Sequence, residues 1–221
     1  ARTDGQMIQP EGPASICNPT TGELLFYTDG ISVWNRSHQY TPNGAFVLHG
    51  STNTTQSAVI VPVPGDSLRY LIFTADDKED DDQGVEYALV DMSLDAGYGD
   101  IVFRNRELLT PTTEKLVAVT HSNGCDIWVI AHGVNNNWFY AWLVDRSGTP
   151  SAPVISKVGS IHPDKTGKVG YLKASPDGTK LVAVISGEYL GTTTVRSSAV
   201  DLLSFNAVTG EVGFIGDLPP E

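Results

Sequence analysis

The sequence predicts an all-β fold of the β-propeller type. A unit of strand, glycine-containing turn and strand recurs along the chain, and the second strand of each unit starts near Glu23, Arg69, Asp126 and Lys180. By subtraction, these starts are separated by 46, 57 and 54 residues. Repeats of about 40–50 residues with up to four strands each are typical of propeller blades. No window shows a sustained 3.6-residue apolar period, so we expect no helix.

The first unit is expected over residues 14–50. Ala14–Cys17 and Glu23–Thr28 are strand-like runs, and the segment between them, Asn18–Gly22, contains the proline and glycine of a turn. Ile31–Asn35 follows an Asp-Gly pair and has its apolar residues at alternate positions. This alternation is typical of a strand with one buried face.

The second unit is expected over residues 56–105. Ser57–Val61 is its first strand, Pro64-Gly65-Asp66 its turn, and Arg69–Thr74 its second strand. An acidic insertion follows, after which Val85–Asp91 has the composition of a third strand. The short runs bounded by Gly, Pro and Asp again favour strands over helices.

The third unit is expected over residues 114–158. Leu116–Val119 and Ile127–Ala131 are strand-like runs, and Trp138–Val144 is the strand that follows them. The turn between the first two contains Asn123-Gly124. An Asn-Gly pair tolerates the positive φ that a hairpin turn requires.

The fourth unit is expected over residues 169–216. Gly170–Ala174 leads into the turn Ser175–Gly178, and the chain returns through Lys180–Ser186 to a further strand at Ala199–Phe205. Val212–Ile215 is strand-like as well. Because the pattern continues, we expect residues 1–221 to form one propeller domain or the N-terminal part of one.

The number of blades is open at this point. Four blades are visible, whereas a closed propeller has typically 4–8. We expect the four to belong to a larger ring of about seven blades. An open partial ring would expose an apolar blade face, which further chain or a partner would have to cover. A β-sandwich is the alternative, but a sandwich does not predict the period.

Composition excludes several partners. The chain has 221 residues and a formal net charge of −12, from 26 acidic and 14 basic residues. This charge disfavours nucleic acid and anionic membrane surfaces, which both attract clustered Lys and Arg. No apolar run approaches the roughly 20 residues that span a bilayer. Cys17 and Cys125 fall in non-adjacent units, so we expect two buried thiols and no disulfide.

An acidic run after the second unit's second strand is the candidate metal site. The candidate ligands are its aspartates, Asp76, Asp77, Asp80, Asp81 and Asp82. Ca²⁺ takes 6–8 oxygen ligands, so we expect a calcium-binding loop or, as the alternative, a solvated loop. The spacing does not match the EF-hand pattern. Ca²⁺ is the one candidate cofactor.

Two histidines and a tryptophan are the candidate ligand-binding residues. His121 and His132 flank the third unit's hairpin, where a histidine and a carboxylate could act as acid and base. The alternative is that the histidines cap strand ends while Asn123 and Asp126 bond the turn. Trp138, after three asparagines, is the aromatic residue expected at the surface as part of a sugar-stacking platform. The alternative is packing between blades. No known catalytic motif is present, so we assign no catalytic residue.

An ordered series of segments resembles a known group of proteins. The chain is similar to the WD40-like propeller region of large surface proteins of gliding bacteria, which the type IX secretion system exports. The resemblance lies in Gly22–Gly30, Val33–Asn35, Thr55–Pro62, Val90–Met92, Glu114–His132 and Gly170–Gly178. It implies an extracellular or cell-surface location, a longer chain and a link to gliding motility.

Together these observations lead us to expect a non-catalytic extracellular module for binding or structure. It would serve adhesion or assembly and bind protein or carbohydrate at the cell surface, without nucleic acid and without membrane insertion. One alternative is a propeller hydrolase or lyase with a site at the central channel. Another is a subunit of an extracellular filament, in which self-assembly covers the open faces.

Overall fold

The computed structural model describes residues 5–7, 11–77, 83–163, 165–190, 193–196 and 198–218. Within these ranges the chain is all-β, with seventeen strands, two short 3₁₀ turns and no α-helix. The all-β prediction is confirmed. No helix in the described ranges is long and apolar enough to cross a membrane.

Sheet 1 is formed by the first three strands, β1 (Ala14–Cys17), β2 (Leu24–Thr28) and β3 (Val33–Asn35), in that order. Tyr40 forms a lone antiparallel bridge with Trp34. The backbone around this bridge is also bonded to β3, so the segment around Tyr40 occupies the place of a short fourth strand.

Sheet 2 has the order β4 (Ala58–Pro62), β5 (Arg69–Ala75), β6 (Val85–Asp91) and β7 (Asp100–Leu109). Each strand pairs antiparallel with the next one in the chain. A 3₁₀ turn at Asp95–Gly97 lies between the last two strands.

Sheet 3 has the same connectivity, with β8 (Thr112–Thr120), β9 (Ile127–Gly133), β10 (Asn136–Val144) and β11 (Val154–His162). The connection between β8 and β9 is six residues long, so it is not a two-residue hairpin. Gly124 in this connection has φ 71°, the positive value that the Asn-Gly pair predicts.

Sheet 4 follows a 3₁₀ turn at Lys165–Lys168 and has the order β12 (Leu172–Ala174), β13 (Lys180–Ile185), β16 (Ala199–Asn206) and β17 (Glu211–Leu218). A separate hairpin, β14 (Glu188–Leu190) and β15 (Thr193–Arg196), is inserted between β13 and β16. The four groups of strands expected from the sequence thus correspond to four meander sheets.

The sheets stack face to face in chain order. Three clusters of buried apolar side chains fill the spaces between sheets 1 and 2, sheets 2 and 3, and sheets 3 and 4. The strand β10 illustrates how sheet 3 lies between its neighbours. Trp142 and Val144 face sheet 2, whereas Phe139 and Ala141 face sheet 4. A strand buried on both sides has no polar face, which accounts for its continuous apolar run.

The first strands of neighbouring sheets lie side by side. Contacts join β1 to β4, β4 to β8, and β8 to β12. Blades of a propeller have this relation around their axis. The described residues form no closed ring.

The prediction of two buried thiols is wrong. Cys17 and Cys125 are both free and exposed. Cys17 ends the edge strand β1 and points away from the core, and Cys125 lies in the turn before β9. Neither position belongs to a packed sheet face, so the apolar character of a thiol does not bury it there.

Candidate functional site

The candidate site is a group of buried polar side chains at one end of sheet 3, where it meets sheet 4. Its members are Glu114, Lys115, His132, His162 and Lys168, and each has 0% exposed surface. Charged side chains are almost never fully buried unless they are paired. The interactions of this group, called the buried charge cluster below, therefore determine what the site can do.

Shifts in the register of strand pairing determine where the side chains of the buried charge cluster lie. The pairing of β8 with β9 shifts register between Thr112 and Leu116, which puts Glu114 and Lys115 in the irregular stretch. A second shift lies in β10 between Asn136 and Trp138. Such bulges redirect side chains at the edges of sheets. Here they bring the start of β8, the end of β9 and the end of β11 together.

Lys115 is held by three backbone carbonyls. Its Nζ donates to the carbonyl oxygens of Gly167, Lys168 and Val169 at 3.2, 3.0 and 3.1 Å. Burial lowers the pKa of Lys115 to about 7, and the nearby Glu114 carboxylate opposes this shift. Three acceptors require three protons, so the geometry fits the ammonium form. Lys115 thereby fixes the turn that leads into sheet 4.

Glu114 connects the cluster to the loop before β4. Its Oε2 accepts hydrogen bonds from the backbone N–H and the hydroxyl of Thr55, at 2.9 and 2.5 Å. Thr55 and Glu114 are 59 positions apart in the chain. This charge-assisted contact ties the start of sheet 2 to sheet 3.

The two histidines of the cluster are stacked on each other. The ring centroids of His132 and His162 are 3.5 Å apart, with 19° between the ring planes. His132 donates from Nδ1 to the carbonyl of Gly133 at 2.6 Å. Its Nε2 and both ring nitrogens of His162 have no hydrogen-bond partner within the described ranges.

Both histidines are neutral in this environment. Burial, aided by the positive charge of Lys115, lowers the pKa of His132 to about 3. Burial also places the pKa of His162 well below its usual range, and the neighbouring His132 and Lys115 act in the same direction. A neutral buried imidazole pair cannot supply a proton at ordinary pH.

Gln56 is a further central residue, and sequence reasoning did not select it. Its Oε1 accepts from the backbone N–H groups of Leu116 and Leu172, at 3.3 and 2.6 Å. Its Nε2 donates to the carbonyl of Leu172 at 3.2 Å. One side chain thus joins β8 and β12, which belong to different sheets. Gln56 lies in one of the segments that carry the resemblance, Thr55–Pro62, but no pattern there points to contacts with β8 and β12, which are distant in the chain.

The structure does not bring His121 and His132 together. They lie at opposite ends of β9, which separates them by roughly 15–20 Å at about 3.3 Å per residue. His121 sits in the turn, where its Nδ1 accepts from the N–H of Asn123 and its Nε2 lies 3.2 Å from the carbonyl of Val208. Asn123 also bonds Asp126 within the turn.

The acidic run is described only in part. Asp76 and Asp77 follow β5 and are buried, with Asp77 accepting from the Ser51 hydroxyl at 2.6 Å and Asp76 from the N–H of Gln83 at 3.2 Å. A solvated loop is therefore the wrong description of these two residues. Asp80, Asp81 and Asp82 lie outside the described residues.

A calcium site at this run remains a prediction. Across the described ranges, no group of three or more His, Cys, Asp or Glu side chains is arranged to hold a metal ion. Asp76 and Asp77 alone would supply too few carboxylates for Ca²⁺, which takes 6–8 oxygen ligands.

The tryptophans do not form one platform. Trp34, Trp128 and Trp142 are buried in different parts of the stack. Trp138 is half-buried near the start of β10, and the Nζ of Lys157 lies 4.1 Å from its ring centroid. Of the four tryptophans, only Trp138 retains substantial exposure.

The structure defines a class: an all-β protein of stacked antiparallel meander sheets with a buried charge cluster between two of them. Comparison with protein-family models and with curated proteins finds no match for the chain. Function must therefore be argued from the arrangement of residues.

Proposed function

We propose that the four sheets are blades of a β-propeller and belong to a larger ring. We further propose that the chain is a non-catalytic extracellular module for binding or structure, serving adhesion or assembly in a type IX-secreted surface protein. The observation that carries the proposal is the face-to-face stack of meander sheets with adjacent first strands. The resemblance described above supports the cellular context.

The state of the buried charge cluster supports a non-catalytic role. A general acid or base must come within hydrogen-bond reach of the proton that it transfers. Lys115 directs its ammonium group at three backbone carbonyls, and Glu114 accepts from Thr55. Both side chains are fully buried. Their contacts serve the packing of sheets and leave no approach for a substrate in this conformation.

The outer face of sheet 4 supports a role in assembly. Leu181, Ala183 and Leu203 point toward sheet 3 and are buried. The alternating residues Val182 and Leu202 lie on the opposite face and are only half-buried. Sheet 3, by contrast, is covered on both faces. A further blade over sheet 4 would complete the pattern, and in a filament a second copy of the chain would do so.

Two measurements test the proposal. Light scattering over a range of protein concentrations would distinguish a monomer from a self-assembling subunit, which would gain mass with concentration. Adhesion to immobilised cell-surface proteins and polysaccharides, measured beside a panel of hydrolase and lyase substrates, should give binding without turnover. Turnover that His121→Ala or His132→Ala abolishes would overturn the non-catalytic proposal. Protease treatment of intact cells of the natural host should remove the protein if it is at the surface.

A further inference from the structure

Two asparagines of the chain are each followed by a glycine, Asn43 before Gly44 and Asn123 before Gly124. In such a pair the glycine nitrogen can attack the side-chain amide carbon of the asparagine, because the glycine has no Cβ atom to hinder the approach. The asparagine then loses ammonia and becomes aspartate or isoaspartate. Both pairs have this local chemistry, so the structure around each pair decides how readily it reacts.

The pair Asn123–Gly124 lies in the exposed turn between β8 and β9. Both residues are exposed, and a Cβ added at Gly124 would meet no atom within 4 Å. The Oδ1 of Asn123 accepts from the N–H groups of Cys125 and Asp126 at 2.9 and 3.0 Å, and its Nδ2 donates to the Asp126 carboxylate at 2.7 Å. Water can replace these surface contacts at little net cost.

The pair Asn43–Gly44 is held by buried neighbours, although Asn43 is itself exposed. The side-chain Nδ2 and the backbone N–H of Asn43 both donate to the carboxylate of Asp100, at 2.5 and 2.8 Å. Asp100 is only 8% exposed, so release of Asn43 takes two donors from a buried carboxylate. Gly44 is buried, and its carbonyl accepts from the N–H of Val33 in β3 at 2.8 Å.

Both pairs must open locally before they can react. The N–H of Gly124 donates to the carbonyl of His121 at 2.9 Å, and the N–H of Gly44 donates to the carbonyl of Thr41 at the same distance. Each glycine nitrogen therefore has to leave a hydrogen bond before it attacks. The rate then depends on the population of the opened state, which falls as the free energy of opening rises. Opening is less costly at the exposed turn.

We propose that Asn123 is a site of spontaneous deamidation and that the structure protects Asn43 from the same reaction. The nitrogen of Gly124 gives its proton to a solvent base and bonds the Cγ of Asn123, the Cγ–Nδ2 bond breaks, and Nδ2 takes up protons from water and leaves as ammonia. Water then opens the succinimide. Cleavage between Cγ and the nitrogen gives aspartate, and cleavage between the main-chain carbonyl carbon and the nitrogen gives isoaspartate. The inference is independent of the proposed function.

Deamidation alters a turn that contacts sheet 4. The new carboxylate at position 123 lies beside that of Asp126, so a hydrogen bond between side chains becomes a repulsion between like charges. Isoaspartate also adds one carbon atom to the backbone of the turn. The same turn reaches the connection between β16 and β17, where the N–H of Ser122 donates to the carbonyl of Ala207 at 3.1 Å. Deamidation should therefore loosen this contact between sheets 3 and 4.

Peptide mapping by mass spectrometry tests the proposal on protein incubated at mildly alkaline pH and body temperature. Aspartate and isoaspartate are measured at positions 43 and 123, and digestion in isotopically labelled water marks any deamidation that occurs during digestion. We expect position 123 to convert roughly tenfold faster than position 43, or more, because opening is less costly at an exposed turn. In urea, where the chain is unfolded, both pairs should convert at similar rates.

Two variants separate the attack from other causes. Gly124→Asn keeps a residue that tolerates the φ of 71° and adds a Cβ that meets no atom, but its side chain hinders the attack, so conversion at position 123 should be largely lost. Asn43→Gln is the matched control and should leave conversion at position 123 unchanged.

Three results would overturn the inference. The folded protein could convert both positions at the same rate, it could convert position 43 faster, or it could leave position 123 intact while the unfolded chain converts it. The predicted loosening has its own test, since the Ser122 amide should exchange hydrogen faster in the deamidated fraction than in the intact one. Equal exchange would refute the effect on the contact with sheet 4.

Discussion

The stacked pair His132 and His162 predicts a steep loss of stability in acid. In the folded protein both imidazoles are buried and neutral, and in the unfolded chain both are exposed and titrate near the usual value of 6.5. His162 makes no hydrogen bond from either ring nitrogen within the described ranges. The substitution His162→Phe therefore replaces a titrating ring by an apolar one without breaking a known hydrogen bond.

The direction in which stability changes with pH follows from the number of protons that the folded and unfolded states bind. As pH falls below about 6.5, the unfolded chain takes up a proton on each histidine, whereas the pKa of His132 in the folded state is lowered to about 3. In this pH range the unfolded state therefore binds more protons than the folded state. The free energy of unfolding is not reduced by the histidines above this range, and it declines as the pH falls through it. For His132 this lowers the free energy of unfolding by about 1.4 kcal/mol per pH unit, or by about 2.7 kcal/mol at about pH 4.5. His162, whose pKa is lowered well below its usual range, contributes in the same direction.

Urea unfolding followed by tryptophan fluorescence, at several values between about pH 7 and about pH 4.5, measures this effect. Relative to the wild type, His162→Phe should lose less stability per pH unit, by up to about 1.4 kcal/mol, the limit for one bound proton, because one proton-binding group is gone. Phe139→Leu is the control. The ring of Phe139 does not titrate, and its centroid lies 4.5 Å from that of His132. The variant should therefore be less stable than the wild type, with the same dependence of its stability on pH. Parallel pH curves for the wild type and His162→Phe would refute the reasoning.

Three further predictions concern packing and the contacts between sheets, each measured as a urea midpoint. Gly210→Ala should cost about 1–3 kcal/mol more than Gly124→Ala, because both glycines have positive φ but only the Cβ at position 210 would meet the Trp128 ring, at 2.6 Å; equal costs would contradict the described packing. Gln56→Leu should cost about 2 kcal/mol, since it leaves two backbone N–H groups without their acceptor, and a near-neutral result would contradict the bridge between β8 and β12. Lys115→Met should cost roughly 3 kcal/mol, because three carbonyls lose their donor. A stable Met variant would show that the ammonium group is not needed there.

The strands were predictable because they depend on local patterns. The turn Ser175–Gly178 illustrates this, since Gly178 has φ 68° and Asp177 accepts from the N–H of Thr179 as such turns require. The continuous apolar run of β10 is similarly a local pattern, and it indicates a strand that is buried on both faces. Patterns of this kind need only neighbouring residues, so the sequence alone shows them.

The buried charge cluster was not predictable, because its partners are distant in the chain. Lys115 bonds carbonyls 52–54 positions away, and Glu114 reaches 59 positions back to Thr55. Of its members, the sequence selected His132 alone as a site residue, and paired it with His121 because both flank one hairpin. The ring of His132 instead stacks on that of His162, the last residue of β11. Nearness in the chain was a poor guide, because His121 lies in the turn before β9 and His132 lies near the other end of that seven-residue strand.

The polar contacts between sheets have a consequence that apolar packing alone could not provide. Two stacked sheets with apolar faces can pack in several relative positions at similar free energy, because dispersion and burial are not directional. Hydrogen bonds from Gln56, Glu114 and Lys115 to fixed backbone and hydroxyl groups are satisfied in only one position. A misplaced sheet would leave these groups buried without partners, at a cost of several kcal/mol. The buried polar side chains therefore favour one order and register of the stacked sheets, which is a structural role that their complete burial serves.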